Sequence, residues 1–186
     1  IIGFQVGTFF AFRTAIIGYS IPTIAAERNS PDLYKFIKNG TRKRFLDSII
    51  LLFSNCITIQ LENYKLKYPF YLRNRIYTIS NPVYSKEINE YPNEGDYIPK
   101  RILNIGRLSF QKNQLFLIRS FSLIAKQNPD WVLTIVGEGE YRPLIEKLII
   151  EKKLIHQVEL IGAVKDVDYW YKNSAFFAFP SLWEGF

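Results

Sequence analysis

Four short segments hold the residues whose types and spacing could do chemistry. The first is Gly106-Arg107-Leu108-Ser109-Phe110-Gln111-Lys112-Asn113, with one cation near each end and an amphipathic run directly after it. Two cations beside a helix N-terminus suit a diphosphate, because unpaired backbone N–H groups and the helix dipole add to the side-chain charge. The same residue types also serve as ordinary surface charges. The second segment, Gly137-Glu138-Gly139, can bring backbone close to a ligand or simply enter a helix. A dinucleotide fingerprint would need a third glycine where Arg142 stands, which disfavours NAD. The third, Gly162-Ala163-Val164, leaves backbone groups free for a planar base, although a plain turn with Asp166 near a helix N-cap explains it equally well. The fourth, Pro180-Ser181-Leu182-Trp183-Glu184-Gly185-Phe186, carries a carboxylate that can accept hydrogen bonds from sugar hydroxyls, stabilise developing positive charge, or serve as a helix N-terminal charge.

These segments need strands to position them. Apolar runs read as strands at 101–105, 131–136, 158–161 and 176–179, the first three ending at Gly106, Gly137 and Gly162 and the last stopped by Pro180. Between them, 113–127 reads as a helix with Leu115, Ile118, Phe121, Ser122 and Ala125 along one face; 141–150 and 166–173 are further helices. Alternation of apolar strands with helices predicts a parallel sheet covered on both faces, and such sheets bind ligands beyond the carboxyl ends of their strands. Upstream, 1–4 reads as the end of a strand leading into a helix to about Gly18, with further strands at 22–26, 56–60 and 76–79. Phe45, Ile49, Leu52 and Phe53 give helical spacing over 41–54. Pro82, Pro92, Asn93, Gly95 and Pro99 mark a linker, so the expected organisation is 1–82, a linker 83–99, and 100–186.

Composition narrows the function classes. The 186 residues are 48% hydrophobic and 22% charged, enough apolar content to bury a core. No uninterrupted apolar run is long enough for a membrane-spanning helix. One cysteine, Cys56, and one histidine, His156, exclude an internal disulfide, a multi-cysteine zinc site and a histidine-rich metal site. The net charge of +7 points to anionic partners. It is densest over 28–44, where six basic residues face only Asp32; this reads as a solvated basic helix face or as a patch for anionic lipid or a phosphorylated acceptor. No recognition-module pattern accompanies the charge, so nucleic acid is not expected as a partner. The chain has no methionine and is apolar at both ends, which suggests an internal piece of a longer protein.

Taken together, Gly106-Arg107 with Gln111-Lys112-Asn113, Pro129-x-Trp131, Leu133-x-Ile135-x-Gly137-x-Gly139, Val158-x-Leu160-x-Gly162, and Pro180-Ser181 with Glu184-Gly185-Phe186 resemble glycosyltransferase family 4. The segment Ile21-Pro22-Thr23-Ile24 leading into Glu27-Arg28-Asn29-Ser30-Pro31 resembles the acceptor domain of bacterial polysaccharide-type members, and Asn81-Pro82-Val83 the turn before their interdomain connection. The resemblance implies an α/β GT-B fold, with two Rossmann-like parallel-sheet domains, each incomplete in this chain. It implies retaining transfer from a nucleotide sugar, UDP- or GDP-linked, to a growing lipid-linked cell-surface glycan, without a metal or other cofactor. Arg107 and Lys112 would hold the donor diphosphate and stabilise the departing nucleotide, beside Gly106 and Gly137. Gly162, Ala163 and Val164 would lie by the base, and Glu184 would contact the donor sugar. The family's second glutamate would fall eight positions after Glu184 and its acceptor-side glycine-rich loop before Ile1, so this piece by itself is expected to be inactive. The resemblance also implies a cytoplasmic enzyme peripheral to the inner face of the membrane, with an anionic membrane surface as partner. Many members carry an acceptor-domain histidine; His156 lies in the other half, which leaves acceptor-side catalysis unassigned. A non-catalytic nucleotide-sugar or glycan-binding module and a GT-B-like sugar epimerase remain open. Trp183 is a candidate to line the cleft.

Overall fold

The computed structural model describes residues 1–82 and 99–185. Contacts divide the chain into two units, Ile1–Ser85 with Trp183–Phe186, and Lys86–Leu182. The sequence reading placed 183–186 with the second piece; by contacts 183–185 group with the first. The expected linker, apart from Pro99, lies outside the described residues.

The first unit runs β1 (Ile2–Phe4), α1 (Gln5–Ala15), β2 (Ile24–Ala26), a 3₁₀ turn (Pro31–Lys35), α2 (Gly40–Leu51), β3 (Cys56–Ile59), α3 (Glu62–Lys65), a second 3₁₀ turn (Phe70–Arg75) and β4 (Ile76–Thr78). The strands pair parallel in the order β1-β2-β3-β4. Each connection steps one strand the same way, so right-handed crossovers put the intervening elements on one sheet face. The core lies there, built by Val6, Phe9, Ala25, Leu51, Ile57, Ile59, Leu72 and Ile76. On the other face Ile2, Phe4 and Tyr77 are exposed.

At α2 the helical spacing holds, but burial does not follow the apolar residues. The helix forms over nearly the predicted span, but Phe45, Ile49, Leu52 and Phe53 are exposed while Gly40, Asp47, Ser48 and Leu51 are buried. Asp47 can be buried because it accepts from Tyr34 Oη at 2.6 Å and from Lys43 Nζ at 2.8 and 3.0 Å. Ser48 donates to the Arg44 carbonyl oxygen at 2.7 Å. Partnered polar groups thus occupy the buried face, and the apolar stripe points outward. Nor is the basic stretch 28–44 one helix face. It spans a 3₁₀ turn and the start of α2, with Lys35 paired to Asp32 and Lys43 to Asp47.

The second unit runs β5 (Arg101–Ile105), α4 (Gln114–Ile124), a 3₁₀ turn (Ala125–Gln127), β6 (Val132–Val136), α5 (Arg142–Glu151), β7 (Val158–Gly162), α6 (Val167–Lys172) and β8 (Phe176–Phe177). All pairings are parallel, in the order β7-β6-β5-β8. The chain builds outward from β5 to β7 and then returns to add β8 on the other side of β5. Right-handed crossovers therefore put α4 and α5 on one face and α6 on the other. Ile102, Ile118, Phe121, Leu133, Ile135, Ile145 and Leu148 form the core under α4 and α5. On the α6 face the Arg101 guanidinium lies 5.3 Å from the Trp170 ring and Tyr171 lies 5.3 Å from Phe177. Central strands β5 and β6 are buried on both faces, so their apolar residues are interrupted only by Asn104 and Thr134, which are buried with partners: Asn104 Nδ2 donates to the Ala178 carbonyl oxygen at 2.9 Å and Thr134 Oγ1 to Glu159 Oε2 at 2.9 Å. β8 is only two residues long, shorter than predicted, because the chain leaves the sheet ahead of Pro180.

Candidate functional site

The strand order β7-β6-β5-β8 reverses between β5 and β8. In open parallel sheets this switch point opens a crevice outside the carboxyl ends of the strands, where two loops diverge to opposite faces. The loops leaving β5 and β8 both meet there. Asn104 Nδ2 donates to the Ala178 carbonyl oxygen at 2.9 Å, Asn113 Nδ2 to that of Pro180 at 3.2 Å, and Leu182 N to that of Gln111 at 2.9 Å. Lys112 Nζ lies 4.8 Å from the centre of the Phe179 ring, so the lysine bridges the two loops.

The β5 loop is braced from beneath by Gln114, which is fully buried. Its Nε2 donates to the Arg107 carbonyl oxygen at 3.0 Å and its Oε1 accepts from Ser109 N at 3.4 Å. Asn113 takes the left-handed conformation, with φ 57°, as the N-cap of α4. Lys112 therefore sits immediately ahead of the helix N-terminus, and Arg107 is exposed at the start of the same loop.

The β6 loop packs against it. Gly137 has φ 141°, and an added methyl there would collide with the Gly106 carbonyl oxygen. A methyl on Gly139 would strike the Leu108 backbone, to which Glu138 O is bonded by Leu108 N at 2.9 Å. These two glycines serve close backbone packing between neighbouring loops. Gly106 differs: a methyl there would meet the Lys112 stem at an ordinary 3.4 Å, so the lysine's own methylenes lie over it. Gly162 closes β7, with its carbonyl oxygen accepting from Gly137 N at 2.8 Å. Ala163 and Val164 follow, and Asp166 then caps α6, accepting from Asp168 N at 3.1 Å and Tyr169 N at 3.2 Å. Arg142 holds Glu138 at 2.7 Å and Glu146 at 2.9 Å, which gives the residue standing in place of a third glycine a structural job.

The structure thus brings Gly106, Arg107, Lys112, Gly137 and Gly162 to one end of one sheet. Glu184 groups with the first unit, where Tyr64 Oη donates to its carbonyl oxygen at 3.1 Å. Gln60, with its amide nitrogen turned toward them, donates to the carbonyl oxygens of Gly185 at 2.6 Å and Arg28 at 2.8 Å. Trp183 stacks on Phe36 with centroids 5.2 Å apart. Sequence reasoning missed Asn104 and Gln60, whose roles depend on contacts distant in sequence, and Gln114, which braces the loop five to seven residues before it. Only for Gln114 was there a local signal, a polar residue at the first helical position of an otherwise apolar run.

A family model, glycosyl transferases group 1, matches residues 87–186, more than half of the chain. The chain belongs to this family. It is 30% identical over 127 residues to the amylovoran biosynthesis glycosyltransferase AmsD of Erwinia amylovora, a match covering 67% of the chain and 35% of that protein. It is 32% identical over 124 residues to the UDP-Gal:alpha-D-GlcNAc-diphosphoundecaprenol alpha-1,3-galactosyltransferase of Escherichia coli, covering 60% of the chain and 32% of that protein. The chain therefore spans about a third of the length of these relatives. Among solved structures, TarM of S. aureus superposes with a TM-score of 0.76 at 21% identity, over 99% of the chain and 36% of TarM. The fold is the GT-B class of α/β architecture expected from the sequence.

Proposed function

We propose that the protein is a retaining glycosyltransferase of family 4. It moves a sugar from a nucleotide diphosphate donor to a lipid-linked, growing cell-surface glycan at the cytoplasmic face of the membrane. The observation that carries this reading is the braced β5 loop at the switch point. It sets Lys112 directly before the α4 N-terminus and Arg107 at the other end of a loop held by Gln114 and by the β8 loop. Names of relatives supply the chemistry: AmsD serves amylovoran biosynthesis, and the E. coli relative uses UDP-galactose and a diphosphoundecaprenol-linked acceptor.

In this reading Arg107, Lys112 and the α4 N-terminus bind the donor diphosphate. As the bond from the anomeric carbon to the leaving phosphate oxygen breaks, negative charge grows on the diphosphate. Fixed cations stabilise it without reorganising. They supply the countercharge, so the reading needs no metal. Gly162, Ala163 and Val164 lie beside the nucleotide base, and Glu184 hydrogen-bonds the donor sugar. UDP or GDP is the expected leaving group.

Nucleotide release measured with the full-length protein and its acceptor tests this. Lys112→Ala should lower kcat by roughly a hundredfold or more, as loss of one leaving-group donor does. An unchanged kcat in a folded variant would refute the diphosphate assignment. Nucleotide-sugar consumption without acceptor would favour an epimerase, and donor binding without turnover a non-catalytic module.

A further inference from the structure

We infer that Gln60 and Tyr64 of the first unit are positioning residues for Glu184. This rests on the proposed contact of Glu184 with the donor sugar and names the groups that hold its carboxylate in place. By its contacts the segment 183–185 belongs to the first unit.

Strands β2, β3 and β4 run parallel, so Arg28, Gln60 and Asn81, which follow them, all leave one edge of the sheet. Gln60 is only 3% exposed. Its amide nitrogen donates to the carbonyl oxygens of Gly185 at 2.6 Å and Arg28 at 2.8 Å, and its Oε1 accepts from Asn81 Nδ2 at 2.8 Å. Asn81 Oδ1 in turn accepts from Arg28 Nη2 at 2.6 Å. The Arg28 guanidinium is a donor only, so it fixes which way the Asn81 amide points, and Asn81 then fixes Gln60. Ser80 Oγ donates to the Gln60 carbonyl oxygen at 3.1 Å, which ties down the backbone beneath the side chain.

A second grip lies one residue earlier. Tyr64 Oη, from α3, donates to the Glu184 carbonyl oxygen at 3.1 Å. On the other side Trp183 stacks on Phe36 with centroids 5.2 Å apart. The main chain is thus held before and after the Glu184 Cα. Gly185 permits the close approach, because a methyl there would strike the Arg28 carbonyl oxygen. Both hydrogen bonds to the segment are to main chain, so Gln60 and Tyr64 place the carboxylate without occupying it. A network that merely tied down the segment would matter equally with or without the Glu184 side chain. A positioning network matters only through it.

The test uses the full-length protein. It compares kcat/KM for the nucleotide-sugar donor with calorimetric affinity for free UDP and GDP. Gln60→Glu keeps the shape and turns an oxygen toward the two carbonyl oxygens. Tyr64→Phe removes only the hydroxyl, and it carries the test should the first variant fail to fold. Each should lower kcat/KM by roughly tenfold or more, as misplacing an orienting group does, while affinity for the free nucleotide, which has no sugar, stays within about twofold. In a Glu184→Ala background the same substitutions should cost less than about twofold, because the group they place is gone. A loss undiminished in that background, equal weakening of the free nucleotide, or full activity in both variants would overturn the positioning role. The outcomes separate it from the proposed function. If Glu184→Ala lowers kcat/KM while the Gln60 and Tyr64 variants turn over as the wild type does, the sugar contact stands and the positioning role is refuted. An unchanged kcat/KM in Glu184→Ala would refute the sugar contact and the positioning role with it.

Discussion

Glu27 follows β2 in the first unit and is raised from the ordinary carboxylate value of 4.5 to about 7. Burial is the main cause, and the neighbouring Asp47 charge adds to it; the Lys43 ammonium and the Val6 N–H oppose it. Glu27 Oε1 is buried without a hydrogen-bond partner among the described residues. The native state therefore holds a proton between about pH 4.5 and pH 7 that the unfolded chain has already released. Stability contributed by this group is fully present below the lower value and is lost as pH rises through the upper one. At 1.36 kcal/mol per tenfold change in proton affinity, the rise from 4.5 to about 7 makes the loss about 3 kcal/mol. Glu27→Gln keeps the shape and removes the titration. Urea unfolding of both proteins at pH 5, 6, 7 and 8 should show similar stability at pH 5 and a growing advantage for the glutamine variant, reaching about 3 kcal/mol at pH 8. Parallel pH profiles, or a variant less stable than the wild type at pH 8, would refute the reasoning.

Three further expectations concern the second unit. Gly137→Ala forces a side chain into a left-handed position and against the Gly106 carbonyl oxygen; it should destabilise by roughly 1–3 kcal/mol, read as a lowered urea midpoint. Gln114→Ala leaves the Arg107 carbonyl oxygen and the Ser109 N–H without their buried partner; it should cost about 1–3 kcal/mol in stability and raise KM for the donor. Lys112→Arg keeps charge but changes geometry, so it should retain more kcat than Lys112→Ala in the same nucleotide-release assay.

The alternation of apolar runs and helical spacing was enough to read both parallel sheets, because buried parallel strands leave continuous runs that loops interrupt with glycine. The ends of β5, β6 and β7 were legible for the same reason. What stayed hidden depends on partners far along the chain. α2 is a different case: its apolar residues show helical spacing, yet its buried face carries Asp47, partnered by Lys43 one turn away and by Tyr34 of the preceding 3₁₀ turn. Spacing reports that a helix exists, and here polar pairing goes with the side it buries. The switch point was invisible for a related reason: only the placement of β8 beside β5 creates it, and no local pattern encodes strand order. The glycines of the β6 loop read equally as ligand-approach positions or as a helix entry, and the close packing of Gly137 and Gly139 on the β5 loop is a further reason for them that only the fold displays.

The central claim is that the β5 loop at the switch point binds a nucleoside diphosphate through Arg107 and Lys112. Calorimetric titration of UDP and GDP into the wild type, Arg107→Ala and Lys112→Ala tests it most directly. The account predicts that one of the two nucleotides binds the wild type and that each variant weakens it by roughly tenfold or more, the loss of a charge-assisted hydrogen bond to phosphate. Equal affinity in wild type and both folded variants would contradict it.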